Sequence, residues 1–251
     1  MSYQGKRVWI TGGSSGIGAA LATELADRGA RVAISARRED RLREVAGGRM
    51  LVAPVDVSSR ESMVATADLV RSELGAIDIA IMNAGTWGPM DVMAWDSSAF
   101  RHHVDTNLMG LVHGVEAVLP EMRRAGAGTI VGVASVAGYR GFPSSQAYGP
   151  TKAAEINLLE SLRIDLMPLA IDVITVCPGF VRSELTARNS FPMPWMLEAD
   201  DAARRIADGI AKRKAEIVFP LPMMLAMKAV RLVPIRPWTA LMSRQAKTRK
   251  R

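Results

Sequence analysis

Apolar positions along the chain fall into short runs that alternate with segments of helical spacing. Arg7–Ile10 is a β-rich run and Thr11–Gly18 a turn. Ala19–Arg28 then carries Leu21 and Leu25, beside Ala22 and Ala26, at helical intervals, and Gly29 stands where a helix would end. Arg31–Ser35 reads as a second buried strand. The alternation continues as strand Met50–Val55, helix Ser59–Leu74 and strand Ile77–Met82, with Ser58 and Glu61 spaced as a capping box. Helix Ser98–Arg124, strand Gly128–Ala134, helix Thr151–Leu166 and strand Ile171–Cys177 follow. After Pro178 the pattern weakens: Phe191–Trp195 reads as a loop, Asp200–Arg213 as a helix and Glu216–Phe219 as a last short strand. Strands that are apolar throughout, alternating with amphipathic helices, predict a doubly wound parallel sheet with helices on both faces. No linker interrupts the alternation, so one α/β domain is expected over residues 1–219. An extension, 220–251, is rich in Met and Pro and has no obvious place in such a core.

A chain of 251 residues with 49% apolar side chains can bury a real core, which argues against global disorder. The one cysteine, Cys177, excludes a disulfide framework and a cysteine metal cluster. His102, His103 and His113 lack carboxylate or cysteine company at ligand spacing and read as ordinary helix or surface residues. Val8-Trp9-Ile10 is too short for a signal peptide core, and no run of 18 apolar residues is present, so a cytoplasmic location is the expectation. The net charge of +7 is localised. Residues 217–251 hold eight cations and no acid, leaving 24 basic against 25 acidic side chains in residues 1–216. The body is therefore close to neutral, and a nucleic-acid surface is not expected, since no aromatic-basic interleaving accompanies the tail.

Thr11-Gly12-Gly13-Ser14-Ser15-Gly16-Ile17-Gly18 follows the first strand and leads into the first helix. Glycines there allow a sharp turn and close approach to a pyrophosphate, and a helix N-terminus offers free N–H groups to the anion. The spacing differs from the common dinucleotide fingerprint. An acid near the end of the second strand would read a ribose 2′-hydroxyl. This strand ends Ser35-Ala36-Arg37-Arg38, with no carboxylate before Glu39, and a guanidinium at Arg37 suits a 2′-phosphate. NADP(H) is therefore expected over NAD(H), with Arg38 read as the start of a solvated helix.

The glycine turn, Asn83-Ala84-Gly85, Asn107, Ser135, Tyr148-x-x-x-Lys152 and Pro178-Gly179 occur in this order. Together they resemble the short-chain dehydrogenase/reductase family over residues 6–184 and more loosely to about 219, which implies a Rossmann-type fold and hydride transfer to or from a nicotinamide. The chemistry of the residues agrees. Hydride addition to a carbonyl leaves charge on oxygen that must take a proton, and a phenol can donate it. A free phenol titrates near ~10, so a fixed cation has to lower it, and Lys152 lies at i+4 on the face of Tyr148. Ser135, after an apolar strand, can hydrogen-bond the substrate oxygen. By resemblance, Lys152 also holds the nicotinamide ribose, and Asn107 kinks its helix and anchors a water in a proton relay. Asn83, Ala84 and Gly85 fix the central sheet and leave room for the cofactor. Asp56-Val57 ends the third strand where the family places an acid near adenine, although Asp56 equally suits a helix cap. Pro178, Gly179 and Val181 cross the nicotinamide, and Ser183 stands where threonine is usual. Gly149-Pro150 is compatible with a helix only in its first turn.

Phe191, Met193, Trp195 and Met196, with Pro192 and Pro194 stiffening the loop, favour a small hydrophobic alcohol or ketone, to which Trp87, Tyr139 and Phe142 are expected to add walls. A lid packing on its own body is the other reading of that loop. A homodimer or homotetramer is the assembly the resemblance implies. The tail suits a cover over the site or a subunit contact. Peripheral membrane contact through 221–251 is a further option, with the Lys247–Arg251 cluster as its charge. The non-enzyme alternative is a nucleotide-binding scaffold of the same fold, though such members usually lose the tyrosine or the lysine.

Overall fold

Val8, Trp9 and Ile10 are all fully buried because helices cover the sheet from both sides. Successive strand residues point to opposite faces, so Val8 and Ile10 join one apolar core while Trp9 joins the other. The computed structural model describes residues 1–189 and 191–248. Its strands are β1 (Arg7–Thr11), β2 (Arg31–Ser35), β3 (Leu51–Val52), β4 (Ile79–Met82), β5 (Gly128–Val133), β6 (Ile171–Pro178) and β7 (Glu216–Phe219). They form one parallel sheet in the order β3-β2-β1-β4-β5-β6-β7. Helices α1 (Gly16–Asp27), α2 (Glu39–Ala46), α3 (Arg60–Leu74), α4 (Ser97–His103), α5 (Gly110–Ala125), α6 (Tyr148–Leu166) and α7 (Ala199–Ala211) connect them. On one face Leu21 and Leu25 of α1 pack with Ile206 and Ile210 of α7. On the other, Met63 and Val70 of α3 meet Val118 of α5 and Leu159 of α6. The strand order reverses between β1 and β4, which opens a crevice at their C-terminal ends. The opposite end of that pair is closed by Arg7, whose Nε and Nη2 donate to the Asp78 carboxylate at 2.8 and 2.7 Å.

Three expectations change. The third strand is two residues long: Ala53 and Val55 N–H still bond to Ile34 and Ala36 carbonyls, but Pro54 between them has no N–H to extend a regular ladder. The single helix expected over 98–124 is three pieces, α4, a π-helical turn over Val104–Met109, and α5. The cap of α3 is Ser59, not Ser58, with its hydroxyl accepting from Ser62 N–H at 3.1 Å. His103 and His113 lie in helices, as the sequence allows, and are buried there; His103 Nε2 accepts from Gly88 N–H, and His113 Nδ1 pairs with Val57 O.

The segment after β7 is helical, as α8 (Leu221–Leu232) and α9 (Ile235–Thr248). Met223 and Met227 of α8 are buried among Val136, Tyr139, Ile156 and Cys177. Trp238 of α9 is also buried; it donates to Gly141 O at 3.0 Å, meets Phe142 edge-on and lies under the Arg140 guanidinium. Leu221, Leu225 and Leu232 remain exposed on the outer side of α8. Arg249, Lys250 and Arg251, the end of the basic cluster, lie outside the described residues. Among the described residues no helix is long and apolar enough to cross a membrane.

Candidate active site

The turn after β1 is built by glycines whose places a larger residue would crowd. Gly12 has φ +72°, and a Cβ there would lie 2.8 Å from Ala84 Cα; at Gly18 it would lie 2.2 Å from Gly12 O. The helix starts at Gly16, earlier than expected, with Ser15 at its N-cap making no side-chain cap bond. The first N–H groups of α1 therefore remain available at the mouth of the crevice. An uncapped helix start behind a glycine turn fits a dinucleotide pyrophosphate. The turn is tied across the crevice by Asn83, whose Nδ2 donates to Thr11 O and Gly12 O, each at 3.1 Å. Thr11 Oγ1 accepts from the N–H groups of Asn83 and Ala84 in return.

At the end of β2 one of the two arginines departs from its expected place. Arg38, expected to be merely solvated, reaches over the turn, with Nη2 3.4 and 3.3 Å from the Ser14 and Ser15 hydroxyls and 3.0 Å from Glu184. Arg37 is exposed and lies near Asp56, whose carboxyl it helps to hold below the ordinary range. The largest cause of that lowering is the Ser58 hydroxyl, which donates to Asp56 Oδ1 at 2.7 Å. Asp56 thus closes a local turn and does not cap α3. Val57 is buried against Gly110, at the π-helical turn.

That turn places Asn107 inward. Its Oδ1 accepts from Thr86 N–H at 2.7 Å, and Nδ2 donates to Thr86 O and Thr151 Oγ1 at 3.1 and 3.0 Å. Asparagine is a poor helix former, and here its side chain binds a strand-end loop to α6. Gly85, beside it, lets Lys152 and Asn107 approach: a Cβ there would be 3.5 Å from both Lys152 Nζ and Asn107 Oδ1.

α6 begins at Tyr148 rather than Thr151. Gly149 N–H bonds to Ser145 O and Thr151 N–H to Ala147 O, while Pro150 occupies a first-turn position whose missing N–H costs nothing. Tyr148 and Lys152 share one face, with Lys152 Nζ 5.7 Å from the centre of the phenol ring. Ser135, the N-cap of a short 3₁₀ turn after β5, stands near enough to the phenol for its hydroxyl to favour the ionised form. Desolvation raises the Tyr148 pKa, opposed by the Lys152 charge and the Ser135 hydroxyl; Glu155 and Cys177 add to the rise. The net direction is upward, so the expected lowering by lysine is present but outweighed. Lys152 is itself only 4% exposed and donates to Val133 O at 2.9 Å. Burial disfavours its ammonium, yet Glu155 and Tyr148 together hold its pKa above the ordinary lysine value.

Sequence reasoning missed Glu155. Its carboxylate straddles Lys152 Nζ, with Oε1 at 2.9 and Oε2 at 3.0 Å, and burial pushes its pKa up to about 7 against the pull of Lys152. The available signal was an acid three residues after the lysine in a helix whose neighbouring turn positions, Ile156 and Leu159, face the core.

Around the phenol, Trp87 stacks edge-on at 5.3 Å and is held by a bond from its indole N–H to Asn189 Oδ1. Phe180 and Phe191 form a second edge-on pair at 5.9 Å. Pro178 is buried at the end of β6, Gly179 N–H bonds to Phe219 O, and Val181 is buried in a parallel bridge to Leu197. Ser183 lies against Gly16 and exchanges hydrogen bonds with Thr186. Trp195 is half exposed. Tyr139 is no pocket wall: it is buried, with its hydroxyl on Glu216, and Phe142 packs against Trp238.

The model of the short chain dehydrogenases matches residues 6–192. An uncharacterized oxidoreductase of Myxococcus xanthus is 36% identical over 240 residues, covering 93% of this chain and 94% of that protein. A short-chain dehydrogenase/reductase from Burkholderia phymatum, solved in complex with NAD, superposes with a TM-score of 0.84 at 24% identity, over 91% of this chain and 93% of the other. A short-chain type dehydrogenase/reductase from Mycobacterium marinum gives 0.81 at 29% identity, over 87% and 95%.

Proposed function

Because the chain belongs to the short-chain dehydrogenase/reductase family and is an oxidoreductase, we propose that it moves hydride between NADP(H) and a carbonyl or secondary alcohol of a hydrophobic small-molecule substrate, with Tyr148 as general acid/base. The observation that carries this reading is the meeting of Tyr148, Lys152 and Ser135 beside the glycine turn. The dinucleotide supplies or accepts the hydride. Residues of the Thr11–Gly18 turn, Asn83–Gly85 and Pro178–Ser183 are the ones that would hold it. Tyr148 gives its proton to the substrate oxygen in reduction and recovers it in oxidation, while Ser135 Oγ hydrogen-bonds that oxygen as charge develops. Lys152 holds a positive charge near the phenol, and Asn107 fixes the loop and helix between which a proton path to Lys152 runs.

NADP(H) is favoured by two guanidinium groups, Arg37 and Arg38, at the end of β2, with Arg38 already over the serines of the turn. A hydrophobic substrate is favoured by Trp87 at the phenol, by Met193, which meets the Asn189 that holds Trp87, by the Phe180–Phe191 pair, and by the methionines of α8 behind Phe180. Homodimeric or homotetrameric assembly follows the family's habit, with the outer leucines of α8 available as a subunit contact.

A carbonyl-substrate screen that follows NADPH absorbance, repeated with NADH, tests the reading. We expect turnover of bulky apolar ketones with NADPH, lost in Tyr148→Phe while NADPH still binds. Activity confined to small polar sugars, or full activity in Tyr148→Phe, would overturn it.

A further inference from the structure

Glu155 is buried at the centre of the site and no part of the proposed reaction uses it. Its side chain is 3% exposed and its ion pair with Lys152 is closed from solvent, since Lys152 is 4% exposed. Both carboxylate oxygens lie within 3.0 Å of Nζ, and Oε1 has no hydrogen-bond partner of good geometry. A buried ion pair is seldom retained for stability alone, because an apolar pair of the same volume would serve as well or better. The position of this pair gives it another consequence. Nζ is the cation nearest the phenol, and a carboxylate in contact with it cancels much of the field that would otherwise acidify Tyr148.

We propose that Glu155 is a positioning residue of the proton-transfer site: it clamps the Lys152 ammonium against Val133 O and offsets its charge, so that Tyr148 stands in the protonated, proton-donating form. The inference rests on the reading of Tyr148 as the acid/base, and deepens it by biasing the site toward carbonyl reduction near neutral pH. The groups that face Glu155 are consistent with it. From α6 these are Lys152 and Tyr148, and from β6 the neutral Cys177 thiol, with Tyr139 and Glu216 behind that thiol. Asn107 and Thr151 between α6 and the π-helical turn carry no charge. Lys152 is thus the counter-ion that Glu155 has, and Glu155 is the acid that Lys152 has at contact distance. As Glu155 takes a proton below about pH 7, its offset disappears and the phenol feels the full lysine charge.

The chain has three tyrosines, so ring-labelled tyrosine carbon NMR resolves each phenol, with Tyr148→Phe identifying the third signal. In Glu155→Gln we expect the Tyr148 phenol to titrate at least about one pH unit lower than in the wild type, with Glu155→Asp staying close to the wild type. The acidic limb of kcat/KM for alcohol oxidation should move by the same amount. A Tyr148 midpoint that is unchanged or raised in folded Glu155→Gln would sink the proposal. Should that variant fail to fold, Glu155→Leu is read in the same way. The wild type gives a reading without either: the Tyr148 signal should show an inflection near pH 7, and a flat signal between pH ~5 and ~9 counts against Glu155 as the offsetting charge. The two readings fail separately. Full turnover in Tyr148→Phe removes the acid/base assignment whatever Glu155 does, whereas an essential Tyr148 with an unmoved midpoint removes only the role of Glu155.

Discussion

Replacing Asn107 with leucine tests how the π-helical turn holds the site together. The change keeps the branched shape and the number of side-chain heavy atoms and removes three hydrogen bonds, to Thr86 N–H, Thr86 O and Thr151 Oγ1. Thr151 loses little, because its hydroxyl still donates to Tyr148 O at 2.8 Å. The two backbone groups of Thr86 are left facing an apolar side chain. An orphaned buried polar group costs about 1–3 kcal/mol, and Thr86 is partly exposed, which places each near the lower end. The expected loss is therefore about 2–4 kcal/mol. Urea unfolding followed by tryptophan fluorescence measures it as a lower midpoint at constant slope. Amide exchange supplies the local counterpart: Thr86 N–H should lose protection first. Asn107→Asp keeps the acceptor for Thr86 N–H but turns an oxygen toward Thr86 O, so it should be destabilised as well. If Asn107→Leu lies within about 0.5 kcal/mol of the wild type, the bonds to Thr86 do not hold this turn and the reasoning fails.

Three further outcomes are expected. Gly18→Ala drives a Cβ to 2.2 Å from Gly12 O and 2.4 Å from the Asn83 amide, so the turn must open; a loss of about 1–3 kcal/mol in thermal unfolding is expected, and a neutral effect would show that the turn yields freely. Trp238→Ala removes the indole that fastens α9 to Gly141 and Phe142, so hydrogen exchange should rise across 235–248 while α8, anchored by Met223 and Met227, keeps its protection; equal loosening of the whole chain would contradict this. The Cys177 thiol is fully buried and burial pushes its pKa up to about 12, so at pH 8 alkylation should be far slower than in urea; labelling at the rate of a free thiol would refute it.

The sheet was legible because its strands are apolar on both faces, a pattern that parallel strands under two helical layers impose. Legibility failed where side-chain chemistry overrides periodicity. The apolar spacing of 98–124 continues smoothly through Asn107, and only the bonds of its amide to Thr86 and Thr151 explain the wide turn. The place of Arg38 over the glycine turn depends on how the chain leaves β2, which two adjacent arginines cannot reveal. Glu155 was overlooked for a related reason: in a helix, one acid among apolar neighbours looks like a surface position until packing shows that it faces Lys152. The tail helices were obscured by their composition. Met and Pro suggest a loose segment, yet Pro222 falls in a first turn, where it is tolerated, and the methionines fill gaps left by a finished core.

The pairing of β1 with β4, stapled at one end by Arg7 with Asp78 and at the other by Asn83 with Thr11 and Gly12, joins segments that are 71 residues apart in sequence. During synthesis β1 therefore waits, with β2 and β3 on one side and an open edge on the other. Val8, Trp9 and Ile10 make that edge a surface for pairing with another nascent chain. The charged Lys6 and Arg7 at its start are local deterrents until Asp78 arrives, after which the Arg7 guanidinium becomes a lock. Misfolding of this chain at high expression should accordingly begin at β1, and weakening Arg7 should lower soluble yield more than it lowers the stability of protein already folded.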